Sequence, residues 1–190
     1  MVKAPVMAEA LALIEVASIA RGHRVADAMV KRAPVTLLRC EPVSPGKLLV
    51  LVEGDVAAVE EAFRAGLDVA GDATLDKLFL AQAHAQLPGA VRGEARAGDA
   101  VDVDALGVVE TTTVASTILA ADAACKAASV RLIEMQLARG LGGKAYFIVT
   151  GTLSDVEAAV EAGAGAVVPT AVLGTEIIAA PHADFVERLR

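Results

Sequence analysis

The sequence contains one pattern written twice, and this internal repeat constrains the fold more than any other feature. Both copies have an apolar run that ends in Glu, then an Ala-Asp-Ala triplet and a Lys. In the first copy these are Leu13-Ile14-Glu15, Ala26-Asp27-Ala28 and Lys31, and in the second they are Val108-Val109-Glu110, Ala121-Asp122-Ala123 and Lys126. A spacing of about 95 residues indicates two copies of one domain. We place them at residues 1–90 and 105–190, with a linker at 91–104.

Composition favours a cytoplasmic protein that works in an assembly. The 190 residues are 55% hydrophobic but only 3% aromatic, so each small core must be built from Ala, Val and Leu. Domains of this size bury a modest fraction of their surface, which leaves apolar area for neighbouring subunits. The net charge of −7 argues against binding to nucleic acid. The apolar runs are too short to span a bilayer, so we expect no membrane contact.

Each copy predicts the order strand, helix, strand, strand, helix, strand. In the first copy we expect strands at 10–16, 35–40, 47–53 and 74–80, with helices at 21–33 and 55–71. In the second we expect strands at 105–111, 130–137, 144–150 and 172–179, with helices at 114–128 and 154–164. This order is typical of a ferredoxin-like α/β (α+β) fold, an antiparallel sheet with its helices on one face.

A glycine-rich turn raises the question of a phosphate-binding loop. Gly140-Leu141-Gly142-Gly143-Lys144 lacks the first glycine of that motif, since Ala138 stands there, and Ala145 follows the Lys where Ser or Thr would hold magnesium. The turn also joins two strands rather than a strand and a helix. We interpret its glycines as allowing close approach of several backbones around one axis.

The remaining polar candidates are interpreted as structural. His84 and His182 follow the last strand of each copy, and no side chain at a suitable spacing completes a triad or a metal site. Glu15 and Glu110 occupy equivalent strands, where a carboxylate that accepts hydrogen bonds is favoured over acid–base chemistry. Cys40 and Cys125 have no metal-ligand spacing and are expected to be reduced, buried thiols.

The order of these motifs resembles the bacterial microcompartment shell domain. The resemblance is carried in the first copy by Ala12-Leu13-Ile14-Glu15, by Val25 to Ala33, by Pro45-Gly46-Lys47 and by Gly54 to Val59. In the second copy it is carried by Gly107 to Glu110, Ala121 to Lys126, Gly142-Gly143-Lys144 and Gly151 to Glu157. Two copies in one chain are similar to the tandem-domain shell proteins, most closely to the propanediol-utilisation type.

This resemblance implies a structural subunit of a microcompartment shell. It implies a homotrimer that mimics a hexamer, tiles into facets with hexameric and pentameric shell proteins, and lets small polar metabolites through a central pore. Lys31 and Lys126 would lie at the tiling edges. The pore would be lined by the turns between the second and third strands, namely by Val43, Ser44, Pro45, Gly140, Leu141 and Gly142.

The chain departs from the family pattern in two places. Relatives of the propanediol type carry a Cys just before the Pro-Gly-Lys turn, and three such Cys hold an iron–sulfur cluster on the axis. Here that position is Ser44, and because thiolates hold these clusters we predict no metal and no cofactor. The Arg of the family's Pro-Arg-Pro-His ending is also missing from Ala179-Ala180-Pro181-His182, which predicts weaker tiling or reliance on partners.

Two other functions stay open at this point. Tandem ferredoxin-like units also serve as small-molecule-binding regulatory modules, so metabolite binding that alters a partner's activity is the alternative to a shell role. An enzyme is disfavoured because no nucleophile, base and orienting group can be named together.

Overall fold

The computed structural model describes residues 10–95 and 103–189, which form two compact units. The first unit has the predicted order. Its elements are β1 (Ala10–Val16), α1 (Ile19–Arg32), β2 (Thr36–Val43), β3 (Lys47–Gly54), α2 (Val56–Ala70) and β4 (Thr74–Leu80), with a short 3-10 helix at Gly71–Ala73. A short helix, α3 (Leu87–Val91), follows and includes the division between the units at Pro88 and Gly89. The strands form one sheet in the order β2-β3-β1-β4, in which β1 runs antiparallel to β3 and to β4.

The second unit repeats this arrangement. Its elements are β5 (Ala105–Thr111), α4 (Val114–Ala127), β6 (Arg131–Leu137), β7 (Ala145–Gly151), α5 (Leu153–Gly165), β8 (Val172–Ala179) and α6 (Ala183–Arg188), with a 3-10 helix at Pro169–Ala171. The sheet order is β6-β7-β5-β8, again antiparallel. The predicted α/β (α+β) fold, a four-stranded antiparallel sheet with helices in each of two repeats, is therefore confirmed.

The alternation of side chains along the central strands gives the first sheet a helix-covered face. Ile14 of β1 and Val50 of β3 belong to one buried cluster with Val25 and Met29 of α1 and Val59 of α2. The face opposite the helices is buried as well, because Leu11, Leu13, Leu49 and Leu51 are all at most 1% exposed. Burial on both faces explains why β1 and β3 read as continuous apolar runs rather than as alternating patterns.

Glycines let the second helix of each unit approach its neighbours closely. A Cβ atom added to Gly66 in α2 would lie 2.7 Å from Met29 Cγ and 2.7 Å from Ile14 Cδ1. At the equivalent Gly163 in α5 it would lie 2.9 Å from the carbonyl oxygen of Ala120. All three distances are below van der Waals contact, so helix packing at these points depends on the absence of a side chain.

The two long helices of each unit begin at short polar side chains. Ser18 Oγ accepts a hydrogen bond from Arg21 N at 3.2 Å, and Asp55 Oδ1 accepts one from Ala58 N at 3.0 Å. Thr113 and Thr152 do the same for α4 and α5. Each cap satisfies one of the amide groups that the first turn of a helix leaves without a partner.

The structure corrects the predicted end of the second strand. β2 extends to Val43, so Pro42 lies inside a strand and not in the turn. Because β2 is an edge strand of its sheet, the missing N–H of a proline is tolerated there. The sequence analysis also missed α3, whose Leu87, Ala90 and Val91 are buried.

The linker and the chain end are only partly described. Residues 96–102 of the predicted linker at 91–104 lie outside the described residues, so the domain limits stay a prediction. The last part of the chain forms helix α6, which begins at Ala183 and ends at Arg188. Arg190 lies outside the described part. Within the described ranges, no helix is both long and apolar enough to cross a bilayer.

Candidate pore turns and assembly edges

The first candidate pore turn joins β2 to β3. Val43 is the last residue of β2 and is buried, Ser44 is half-buried, and Pro45 is exposed. Gly46 follows with φ of 104°, in the region that favours glycine. The structure thus places Ser44 and Pro45 in the short connection that the sequence predicts, and Val43 at the end of the strand before it.

The second candidate pore turn joins β6 to β7 and is built differently. Gly140, Gly142 and Gly143 have positive φ values of 74°, 63° and 95°. No atom lies within 4 Å of a Cβ added to Gly140 or Gly142. Within one chain, backbone conformation therefore explains these glycines, and close approach does not. Crowding by other copies of the chain stays a prediction. Leu141, between them, is half-buried.

An ion pair lies at the base of each turn, and the two pairs differ in burial. Lys47, directly after the first turn, donates from Nζ to Glu15 Oε2, and the two side chains are 8% and 0% exposed. In the second unit Lys144 Nζ lies 3.4 Å from Glu110 Oε1, with exposures of 54% and 42%. The sequence analysis treated both Glu residues as hydrogen-bond acceptors and missed their Lys partners. The signal was present, since each turn is followed by Gly-Lys.

The two candidate edge lysines also sit in unequal surroundings. Lys31 Nζ bonds Asp27 Oδ2 at 2.7 Å on the surface of α1, with side-chain exposures of 72% and 60%. Lys126 Nζ bonds Asp122 Oδ2 at 2.5 Å on α4, but here the side-chain exposures are 46% and 6%. Both lysines lie in the last turn of their helices, where a cation stabilises the helix dipole.

The donor atoms near the turns do not suit an iron–sulfur cluster. Ser44 offers a hydroxyl, whereas thiolates hold these clusters. Cys40 lies upstream in β2 with its Sγ 3.7 Å from His23 Nδ1, and Cys125 is buried in α4. Burial, and then the nearby Asp122 carboxylate, raise the pKa of Cys125 to about 12. Neither thiol lies in a turn, so the residues do not fit the cluster. Cys40 is also only half-buried, which corrects the expectation of two buried thiols.

His84 and His182 accept hydrogen bonds from nearby backbone amides. His182 caps α6, since its Nδ1 accepts from Asp184 N at 3.3 Å. His84 Nδ1 accepts from Gln86 N at 3.4 Å after β4. Among residues 10–95 and 103–189, no group of three or more His, Cys, Asp and Glu side chains is arranged to hold a metal ion.

Comparison with known families agrees with this architecture. The profile of the BMC domain matches residues 10–83 and again residues 105–181, which is one match for each structural unit. The chain belongs to the BMC-domain family. It carries two BMC domains in tandem.

This BMC protein is similar in sequence to individual shell proteins of bacterial microcompartments and carboxysomes. It is 43% identical over 155 residues to the bacterial microcompartment shell protein PduT of Citrobacter freundii, which covers 81% of this chain and 82% of the relative. It is 39% identical over 82 residues to the carboxysome shell protein CcmK2 of Synechococcus elongatus, covering 41% of this chain and 80% of that protein.

Solved structures give the same result. A microcompartments protein from Desulfitobacterium hafniense superposes with a TM-score of 0.86 at 40% identity, covering 95% of this chain and 98% of the other. A fused permuted hexameric shell protein of the RMM microcompartment superposes with a TM-score of 0.61 at 26% identity, covering 83% of both chains. The tandem BMC protein is a structural shell subunit, located in the microcompartment shell within the cytoplasm, as the resemblance implied.

Proposed function

We propose that three copies of this chain form a pseudohexamer that tiles with other shell proteins and carries a pore on its axis. The observation that carries the proposal is the pair of BMC domains with one fold in one chain. Two pseudo-equivalent units per chain allow a ring of three chains to present six similar positions around its axis. The fused hexameric relative supports the same geometry.

The pore of this trimer would be lined alternately by two kinds of turn. Val43, Ser44 and Pro45 come from the first sequence repeat, and Gly140, Leu141 and Gly142 from the second. Ser44 would place three hydroxyl groups at one level, where they exchange hydrogen bonds with a small polar solute as it loses water. A turn built from positive-φ glycines supplies backbone groups instead of side chains at the other three positions.

The edges of the trimer would contact hexameric and pentameric shell proteins through Lys31 and Lys126. Both cations lie in the last turns of their helices, α1 and α4. We expect Lys31→Ala and Lys126→Ala to leave the trimer intact, and we expect Lys31→Ala to weaken its incorporation into sheets. If either substitution dissolved the trimer, the lysine concerned would belong to the interface within the trimer, and the edge assignment would be wrong.

The first experiment is native mass by light scattering, on the chain alone and then mixed with a purified hexameric shell protein. We expect a mass near three times 19.3 kDa, followed by larger assemblies on mixing. A stable monomer or dimer that ignores the shell protein would reject the proposal. The small-molecule-binding regulatory module would then become the leading function, to be tested by saturable metabolite binding.

The variant Ser44→Cys tests the axial position of the first turn. If three copies of residue 44 converge on an axis, three thiols there match the ligand set that the cluster-binding relatives use, and iron reconstitution should give a coloured trimer. The wild type, treated identically, is the control. A colourless, iron-free Ser44→Cys trimer would contradict the convergence of these residues.

Absence of catalysis is part of the proposal. His23 Nδ1 lies beside the Cys40 thiol, and the Nδ1 atoms of His84 and His182 accept hydrogen bonds from the backbone amides of Gln86 and Asp184. These three contacts are structural and none of them pairs a histidine with a hydroxyl group. The exposed ion pairs, such as Lys31–Asp27, suit association of surfaces, and the buried Glu15–Lys47 pair holds the first turn to its sheet.

A further inference from the structure

The helix surfaces that hold the two candidate edge lysines carry different charge patterns. Next to Lys31, a surface pocket of about 390 Å³ lies between α1 and α2 and is lined by Arg32, Glu61, Arg64, Ala65 and Asp68. The corresponding positions of the second repeat hold Ala127, Ala158, Glu161, Ala162 and Gly165. Four charged side chains in one repeat are therefore replaced by one charged side chain in the other.

The ion pairs of the first repeat are open to exchange. Lys31 bonds Asp27, and Arg32 Nε lies 3.2 Å from Glu61 Oε2 with both side chains more than half exposed. Exposed pairs of this kind contribute little free energy, because water competes for each charge. A carboxylate on an approaching subunit can therefore replace Asp27 or Glu61 as the partner of a cation at small cost.

The ion pair of the second repeat is not open in this way. Asp122 is nearly fully buried, and Lys126 bonds it at 2.5 Å. A buried carboxylate is costly to leave without a nearby cation, because burial removes most of its hydration. Lys126 is therefore held to its own helix, although it occupies the same position in the repeat as Lys31.

We infer that the two lysines have separate roles: Lys31 binds carboxylates of a neighbouring shell subunit, whereas Lys126 serves mainly as the counter-ion of buried Asp122. This inference rests on the proposed trimer. It gives that trimer two kinds of edge in alternation, three that associate through charge and three that do not. A charged edge also selects its partner, since a neighbour without carboxylates would not compensate the displaced pairs.

The test compares Lys31→Gln with Lys126→Gln in two measurements. The first is the Tm of the purified protein. We expect Lys31→Gln to leave it unchanged and Lys126→Gln to lower it by roughly 4–10 °C, as expected for loss of a cation from a buried carboxylate. Lys126→Arg keeps the cation and should recover most of the loss, which also keeps the test usable if Lys126→Gln folds poorly.

The second measurement is binding to a purified hexameric shell protein from the same cells, by light scattering at low and at high salt. We expect Lys31→Gln to weaken binding about three- to tenfold at roughly 50 mM salt and hardly at all at roughly 500 mM, where surface charges are screened. Lys126→Gln, measured below its Tm, should retain most of the binding and its salt dependence.

Three results would overturn the inference. An unchanged Tm for Lys126→Gln would show that Lys126 is not the counter-ion of Asp122. Equal losses of binding in both variants would show that the two lysines have the same role. Wild-type binding that does not depend on salt would show that the edge does not associate through charge. If the wild type did not bind the shell protein at all, the proposed function and the binding role of Lys31 would both fail. The Tm comparison would still decide the role of Lys126.

Discussion

The Glu–Lys pairs beneath the two turns show how one repeated motif is used in two environments. Glu15 and Lys47 are buried, and Glu110 and Lys144 are about half exposed, although the four residues occupy matching positions. In water an ion pair is a minor interaction, whereas in a buried site each charge depends on its partner. The same two residue types therefore fix the first turn to its sheet, whereas at the base of the second turn they form a surface ion pair that contributes little stability.

The largest expected effect comes from removing the cation of the buried pair. Lys47→Met leaves the Glu15 carboxylate in a site with no access to water, so we expect a loss of about 3–5 kcal/mol in the free energy of unfolding. The matched variant Lys144→Met should cost only about 0–1 kcal/mol. Urea unfolding at fixed protein concentration measures both.

A convenient property of the chain sharpens this comparison. Tyr146 is the only tyrosine and there is no tryptophan, so its fluorescence follows the second unit, while far-UV circular dichroism follows both. The double variant Glu15→Met/Lys47→Met should recover most of the loss, because replacing both charges of a buried pair with apolar groups is often neutral. Equal costs for Lys47→Met and Lys144→Met would refute the distinction between the pairs.

An intermediate effect is expected at the two helix glycines. In Gly163→Ala the new methyl group meets a backbone carbonyl at 2.9 Å, which cannot move without shifting α4, and we expect a cost of about 2–3 kcal/mol. In Gly66→Ala it meets side-chain atoms only, Cδ1 of Ile14 and Cγ and Sδ of Met29, which can shift without moving a backbone. Because alanine also gains up to about 1 kcal/mol in helix propensity, the net cost should be near 1 kcal/mol. Thermal and urea unfolding would reveal a reversed order if the close backbone contact were unimportant.

The smallest effect on stability is expected at the cysteines, where the comparison is one of reactivity. Burial raises the pKa of both thiols, and that of Cys125 reaches about 12. At pH 8 we expect an alkylating reagent to modify half-buried Cys40 at least about tenfold faster than Cys125, because the reactive form is an accessible thiolate. Mass spectrometry of wild type and Cys40→Ser would measure this, with equal rates in urea as control. Rapid modification of native Cys125 would contradict its burial.

The same pKa shift has a predicted sign for stability at high pH. The ordinary value for Cys125 is 9.0, so between about pH 9 and pH 12 the unfolded chain releases this proton while the folded chain keeps it. Its contribution is therefore fully present below pH 9 and is lost as the pH rises toward 12. Cys125→Ala should flatten that part of the pH profile, and an unchanged slope would contradict the shift.

The element order of this protein could be predicted from sequence because local signals mark it twice. Pro34 stops the first helix, Gly46 and the Gly140–Gly143 run mark the turns, and Ser18 and Asp55 mark helix starts. The repeat itself strengthens each assignment, since an error would have to occur in both copies. The motif order also identified the family, which the two domain matches confirm.

The partners of charged side chains could not be predicted in this way. Glu15 and Lys47 are 32 residues apart, and their contact depends on the register between β1 and β3, in which Glu15 faces Leu49. The difference in burial between Asp122 and Asp27 could not be predicted from the local sequence either, since both residues stand in an Ala-Asp-Ala triplet. The short α3 was missed because five residues give too little periodicity to indicate a helix.

Pro42 has a consequence for how such a protein grows into larger arrays. It interrupts the row of backbone donors on β2, an edge strand, and the corresponding edge strand β6 is irregular between Leu132 and Glu134. A smooth edge strand invites an incoming strand from another molecule and leads to fibrils, whereas a proline or a bulge discourages it. In the proposed assembly, edge strands of this kind would discourage uncontrolled backbone pairing and leave the lateral contacts to side chains.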